Sequence, residues 1–406
     1  GVSGVAGDLS GGELRGCTFT GSIRTEGKVY HAGGVVATGA GGTVAQCRAA
    51  GTLDFAQPPA LSLGGVTGEV TDAVGSALLL EDCVNEMDLD GPGIAGSLAS
   101  LHDGVTIRGC VNKGSATGGG ITSRLTVYKD NNIETSGTIR MENCVNQGTV
   151  QGEGEQGGLV GTVEMYDAGT GLIVTGCRNE GTVTSPDGAG GLFSTVRAGS
   201  DTSVQISDCE NTGTVSSDES CVGGVVNTLF VQGGTTGADV LLQNCRNSGQ
   251  VTGCGYGVGG IFGRQLGRMD DDLTGNTFRL ENCENTGTVT GLMPVVYAGG
   301  IAGYLPFTGS STGVTACRNS GTVQLYADQP LEDSGDGQQY VQGVIGGIVA
   351  CAQASTAVQD CSNTGSLEIP QDLASLGYAG DLVGYTFSNG EPILGLTGIQ
   401  DGKAVS

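Results

Sequence analysis

The side chains able to do chemistry in this 406-residue chain are 14 cysteines, two histidines, and 42 acidic residues set against 17 basic ones. Thiols can cross-link, hold zinc or attack as nucleophiles. Carboxylate pairs on one face of an extended scaffold are what polysaccharide-cleaving enzymes use as acid and base. Two groups of acids stand out: Asp270, Asp271 and Asp272 in one run, and Asp328, Glu332, Asp333 and Asp336 within YADQPLEDSGDGQQY. These seven are the expected binding residues, on loops that a partner would meet. DSGDG has part of the composition of a calcium loop but lacks the ordered ligand series and the closing Glu, so a solvated acidic loop is the plainer reading. No cofactor is expected, and Ca²⁺ is the one ion left open. Neither His31 nor His102 has a recognisable partner, and no Cys-x-x-Cys, Cys/His cluster, Gly-x-Ser-x-Gly elbow or Ser/His/Asp order is present. No catalytic residue and no metal ligand is assigned.

The thiols are spaced to do something else. Eleven of them, Cys17, Cys47, Cys83, Cys110, Cys144, Cys177, Cys209, Cys245, Cys283, Cys317 and Cys361, head a unit Cys-x-Asn-x-Gly-x-Val, as in CRNEGTV from Cys177. They recur at intervals of 27 to 44 residues, which marks a repeat interrupted by loops of variable length. Three residues before each Cys stands an apolar residue in all eleven units, from Leu14 to Val358. Two after it is Asn in nine (Asn85, Asn112, Asn146, Asn179, Asn211, Asn247, Asn285, Asn319 and Asn363), four after is Gly in ten, and six after is aliphatic in all. Between units runs Gly-Gly-aliphatic, as in GGLVG at Gly157 and GGIAG at Gly299.

Each unit therefore offers three short segments with a side-chain period of two, none able to bury its apolar side alone. Stacked in register as parallel strands about 4.8 Å apart, they bury one another and pair their backbones. The expected fold is all-β, a single-stranded parallel β-helix, or β-solenoid, of about eleven rungs with interior Cys and Asn ladders. Cys144, Cys177, Cys209, Cys245, Cys283 and Cys317 form one regular file, and Asn146, Asn179, Asn211, Asn247, Asn285 and Asn319 the other. Asn-x-Gly is expected to make a corner, with Asn and Gly supplying left-handed backbone. In-register neighbours hold Cβ atoms too far apart for disulfides, so the ladder thiols read as reduced packing groups. Of the off-motif thiols, Cys221, Cys254 and Cys351, the first two precede Gly-Gly strands on successive units and are placed to meet, with a lone thiol at each the plainer alternative. The residue after Cys tests the register: Arg178, Glu210, Arg246, Glu284 and Arg318 alternate in sign, preceded by Val84, Val111 and Val145.

Composition narrows the partners. Gly contributes 78 residues and the formal net charge is −25, so nucleic acid is not an expected partner, and no apolar run is long enough for membrane insertion. Thr-x-Thr pairs such as Thr182/Thr184 are broken by neighbours such as Thr149/Gln151, so no regular ice-binding array forms. With no Trp, the tyrosines Tyr30, Tyr128, Tyr166, Tyr256, Tyr297, Tyr326 and Tyr340 read as scattered candidates for sugar contact.

Gly-Gly-Ile/Leu-x-Gly followed by Cys-x-Asn-x-Gly-x-Val resembles the GLUG-motif family, whose repeats occur in bacterial surface proteins, adhesins included, and in the non-catalytic region of some immunoglobulin A1 metallopeptidases. The resemblance covers Gly4 to about Tyr385. It implies a bacterial, extracellular or cell-wall-attached solenoid, acting as an adhesin or as a stalk or scaffold segment of a larger secreted protein. Its implied partners are other domains of the same parent chain and a host or bacterial surface glycan or protein. The His-Glu-x-x-His zinc motif of such peptidases is absent. GVAG at Gly4 reads as a half-repeat entered in mid-rung, so the expected layout is residues 1–385 as repeat domain, beginning inside a longer solenoid, and 386–406 as a terminal cap or linker. The expectation is a non-enzyme; the alternative is a carbohydrate-active β-helix enzyme, a polysaccharide lyase or glycoside hydrolase, which would gather carboxylates and a cation in one groove.

Overall fold

The computed structural model describes all residues except 58–60, 129–136, 233, 268–272, 308–310, 328–341, 372–376, 389–390, 393–398, 401–402 and 405–406. The described residues form strands with no α-helix, so none is long and apolar enough to cross a membrane. Apart from two short antiparallel pairs after Val383 and a register slip around Gly255, strands pair in the order of the sequence, parallel and in register, around one coil. The turn holding Cys177 shows the path. Val160–Met165 forms the first face, Gly171–Thr175 the second, and Arg178–Asn179 the third. Val183–Thr184 and Ala189–Gly190 form the fourth face before Phe193–Ala198 opens the next turn. The second and third faces are each eleven strands deep, as the eleven motif units require.

Register follows the sequence columns. Asn146 lies beside Asn179, Asn179 beside Asn211, and Arg178 beside Glu210, which in turn neighbours Arg246. The corner, however, is not at Asn-x-Gly. It falls one residue before each Cys, where all eleven positions have φ between 51° and 67°: Gly16, Gln46, Asp82, Gly109, Asn143, Gly176, Asp208, Asn244, Asn282, Ala316 and Asp360. Nine of these are Gly, Asn or Asp, the residues that tolerate left-handed backbone best. The Cys-led segment is thereby split from the aliphatic strand before it and forms a sheet of its own.

The glycine four residues after Cys serves proximity instead. A Cβ on Gly181 would collide with the carbonyl oxygen of Gly148, the equivalent residue one rung earlier, and the same holds for Gly213 over Gly181. From the third unit on, the second glycine of the Gly-Gly pair yields its space to an amide: a Cβ on Gly158 would strike the carboxamide of Asn179. Gly-Gly and Cys-x-Asn are therefore two halves of one packing unit.

The main core runs the length of the coil, between the first face and the second and third. It takes the residue three before each Cys, the residue after each Gly-Gly (Leu159, Leu192, Val225, Ile261) and the thiols. From the Cys110 unit to the Cys317 unit, the aliphatic residue six after Cys is buried as its column requires, but in a smaller second core of its own within the fourth face, where Val183, Val215, Val251 and Val289 pack against Ala189, Val222, Val258 and Ala298.

Candidate functional site

The two interior files are the most regular chemical feature of the molecule. All fourteen cysteines are free thiols. Cys144, Cys177, Cys245, Cys283 and Cys317 each donate to the carbonyl oxygen of the apolar residue three before the preceding Cys, at 3.4 to 3.6 Å. Cys209 donates to Ser207 within its own rung, at 3.2 Å. Burial pushes the Cys144 and Cys177 thiols well above the ordinary range, so they pack as neutral groups. Cys221 is buried, and burial raises its thiol to about 11; Cys254 is partly exposed and its thiol donates to the Asp218 carbonyl at 3.5 Å.

In the second file each Asn Nδ2 donates to the Oδ1 of the next Asn at 2.7 to 2.8 Å: from Asn85 through Asn112, Asn146, Asn179, Asn211, Asn247, Asn285 and Asn319 to Asn363. The second Nδ2 hydrogen goes to the carbonyl of the rung's own glycine, as from Asn179 to Gly181 at 2.8 Å. Both ends are closed. Asn85 Oδ1 accepts from the Met87 backbone N–H at 3.1 Å, and Asn363 Nδ2 donates to the Asp381 carboxylate at 3.1 Å. The nine amide dipoles point one way, and the carboxylate sits at the end where N–H hydrogens emerge.

The acids expected to bind a partner, Asp270, Asp271, Asp272, Asp328, Glu332, Asp333 and Asp336, lie outside the described residues, and the Ca²⁺ reading goes with them. Among the described residues no three His, Cys, Asp or Glu side chains gather as a metal site. His31 Nδ1 lies 2.9 Å from Glu69 Oε2, and His102 stands two turns further on, at the far end of a first-face strand. Next to His102, the buried Asp72 accepts from Ser100 Oγ and from the backbone N–H groups of Leu101, His102 and Gly104, at 2.6 to 3.1 Å. That carboxylate fixes a loop.

A trough of about 500 Å³ runs along the left-handed corner, with Asp208, Asn244, Asn282 and Ala316 on one wall and Glu210, Arg246, Glu284 and Arg318 on the other. Its first wall is an outer ladder, Asn282 to Asn244 at 2.7 Å and Asn244 to Asp208 at 3.0 Å. Its second is the alternating column, in which Arg246 meets Glu284 at 3.7 Å while Arg178 turns to Glu180 of its own rung at 2.9 Å. The charges along this wall are balanced within the column. A second cavity of about 310 Å³, bounded partly by Leu63, Asp90, Glu153, Glu155 and Gln156, lies nearer the first turns.

The tyrosines are where sequence reading fell short. Tyr256 and Tyr297 do not stand apart: their ring centroids are 5.2 Å from each other and 6.2 and 5.3 Å from Tyr304. Tyr304 reaches Phe387 at 6.0 Å, Tyr378 meets Tyr385 at 6.4 Å, and Tyr128 meets Tyr166 at 6.5 Å. Burial raises the Tyr297 and Tyr304 phenols, which therefore stay protonated. The overlooked signal was positional. Tyr297 and Tyr378 each stand two residues before a Gly-Gly or Gly-Asp pair, and Tyr304 and Tyr385 four residues after it.

No protein-family model and no curated protein matches the chain. Among solved structures it is similar to the crystal structure of a putative immunoglobulin A1 protease from Bacteroides ovatus, with 15% identity and a TM-score of 0.34, over 64% of this chain and 72% of that one. At that distance the likeness says nothing about activity.

Proposed function

We propose that this chain is a non-catalytic β-solenoid segment of a bacterial extracellular or cell-wall protein, serving as a rigid scaffold that holds surface loops and adhesive faces at fixed spacing. The observation that carries this reading is where the repeated residues are spent. The ladder Cys, the ladder Asn, the glycine after it, the Gly-Gly pair and the left-handed corner residue all contact the next rung or set the coil's path, and where the corner column borders the outer trough its Asn and Asp side chains bond along the column. A repeat whose constant residues all serve stacking leaves function to the variable positions between them. The GLUG-like motifs support the same role, with other domains of the parent chain and a surface glycan or protein as partners.

The purified chain, incubated with pectic, mucin and host glycans, is expected to release neither reducing ends nor unsaturated products. Turnover that disappears in Asp271→Asn or Asp333→Asn would overturn the scaffold reading in favour of a carbohydrate-active enzyme.

A further inference from the structure

The trough along the left-handed corner is uneven along its length. Its second wall runs through Glu210, Arg246, Glu284 and Arg318 on four successive rungs, in register. The two middle residues pair with each other at 3.7 Å. The outer two do not. Arg178, on the rung before Glu210, turns to Glu180, and among the described residues no cation comes within ion-pair distance of Glu210. Arg318 is exposed, its neighbour on the following rung is the uncharged Ser362, and among the described residues no carboxylate comes within ion-pair distance of it. Asp208, on the wall opposite Glu210, accepts from Asn244 through Oδ1, which leaves Oδ2 open. One end of the trough is therefore acidic and the other basic, three strand spacings or about 14 Å apart. Between them the outer ladder stops at Asn282, because Ala316 has no amide to donate, so Asn282 Oδ1 is an open acceptor on the wall.

We propose that the trough binds a short extended peptide with both ends free, its terminal ammonium between Asp208 and Glu210 and its terminal carboxylate on Arg318. The charges select this class. A polyanion or a polycation would meet its own sign at one end, and a neutral ligand would leave both ends unused. A molecule with one positive and one negative group at opposite ends of a hydrogen-bonding backbone meets both. Length narrows the choice: an extended chain advances about 3.3–3.6 Å per residue, so about four residues span the gap. On the way a peptide N–H would donate to Asn282 Oδ1, and the Arg318 guanidinium would take the carboxylate with paired N–H donors. Because stacked rungs fix the distance between the two ends, little ordering is needed on binding. The site goes beyond the scaffold reading, since it gives the coil a small ligand of its own.

Isothermal titration calorimetry of the whole chain at low salt tests it, with tetraalanine beside N-acetyl-tetraalanine, tetraalanine amide and dialanine. Tetraalanine is expected to bind, and each cap to weaken it roughly tenfold, since each removes one charge-assisted contact. Dialanine, too short to reach both ends, is expected to bind more weakly than tetraalanine by a similar factor. Variants assign the ends. Arg318→Gln should make the acid and the amide equal while keeping the preference for a free amine, and Glu210→Gln should narrow the preference for a free amine while keeping that for the acid. Arg24→Gln, on a strand of the first turns, should change neither. All three side chains are at the surface, so melting temperatures should stay as in the parent chain. No binding of tetraalanine at millimolar concentration, equal binding of the capped peptides, or an Arg318→Gln chain that still prefers the acid would overturn the site. Any of these results, in a chain that stays folded and turns over no glycan, would leave the scaffold reading in place.

Discussion

At the scale of single residues, the Asn file makes the sharpest demands. From Asn85 to Asn319 each amide is buried, gives two hydrogen bonds and receives one, so removing one from within the file strands groups on both neighbours. Asn211→Ala leaves Asn247 Oδ1 and the Gly213 carbonyl without their donor, and Asn179 Nδ2 without its acceptor. Unpaired buried polar groups cost about 1–3 kcal/mol each, and the expected loss is about 2–4 kcal/mol by urea unfolding, with a smaller loss for the part-exposed terminal Asn363→Ala. The corner residue gives a test of opposite sign. Ala316 holds φ of 54° with a Cβ in place, whereas most equivalent positions are Gly, Asn or Asp. Ala316→Gly relieves left-handed strain of about 1–2 kcal/mol against a smaller entropy cost in the unfolded chain, and is expected to raise stability by about 0.5–1 kcal/mol in the same measurement. Both residues were equally visible in the sequence, yet only the Asn column was read for its role. A column of identical Asn residues declares itself, while one that mixes Gly, Asp, Asn, Gln and Ala is unified only by the backbone angle those residues share.

At the scale of elements, strand pairing was legible and the folding of strands against one another was not. Period-2 patterns and the constant offset from Cys fix which residues lie one above another, because a slip by one would turn the core face outward. They do not say how the segments close around the axis. The second core arises because Val183 and Ala189 sit on two strands of one turn that pack together, a distance set by loop geometry. The tyrosine cluster was hidden likewise, since Tyr256 and Tyr304 lie far apart in sequence and meet only through the coil. The buried thiols carry a prediction at this scale. Cys144, Cys177, Cys221 and Cys351 are raised by burial above the ordinary thiol value. Above about pH 9 the unfolded chain therefore releases protons that the folded chain keeps. Stability is full below that value and falls as pH rises through it, by up to about 1.4 kcal/mol per pH unit for each such thiol. Urea midpoints between pH 7 and pH 10.5 should fall accordingly. Ellman's reagent should label Cys17, Cys254 and Cys361, the partly exposed thiols, before the other eleven. Rapid labelling of all fourteen in the folded protein would mean that the file is not closed to solvent.

At the scale of the whole molecule, the coil is a stack in which each turn touches mainly its neighbours, so stability is nearly a sum of interfaces. The two ends are finished differently from the middle. In the first turns Phe19 and Ala49 replace Asn, and the ring of Phe19 occupies the space around Gly34 and Gly51. At the other end Asp381 accepts from the last amide, and Glu391–Pro392 runs antiparallel to Val383–Ser388, interrupting the parallel pattern on which further turns would build. Between these ends whole units should be removable. Excising residues 209–244 places Cys245 directly after Asp208, aligns Asn179 with Asn247, and shortens the coil by one rung of about 4.8 Å. It also sets Arg178 beside Arg246, breaking the alternation of sign. Excising 209–282 removes two rungs but sets Arg178 beside Glu284, preserving it. If adjacent rungs were matched in charge as well as shape, the shorter chain should lose less stability per rung removed. The difference should be about 0.2–1 kcal/mol at low salt and fade as ionic strength rises. Equal loss per rung at every salt concentration would mean that the alternating column records register without contributing to it.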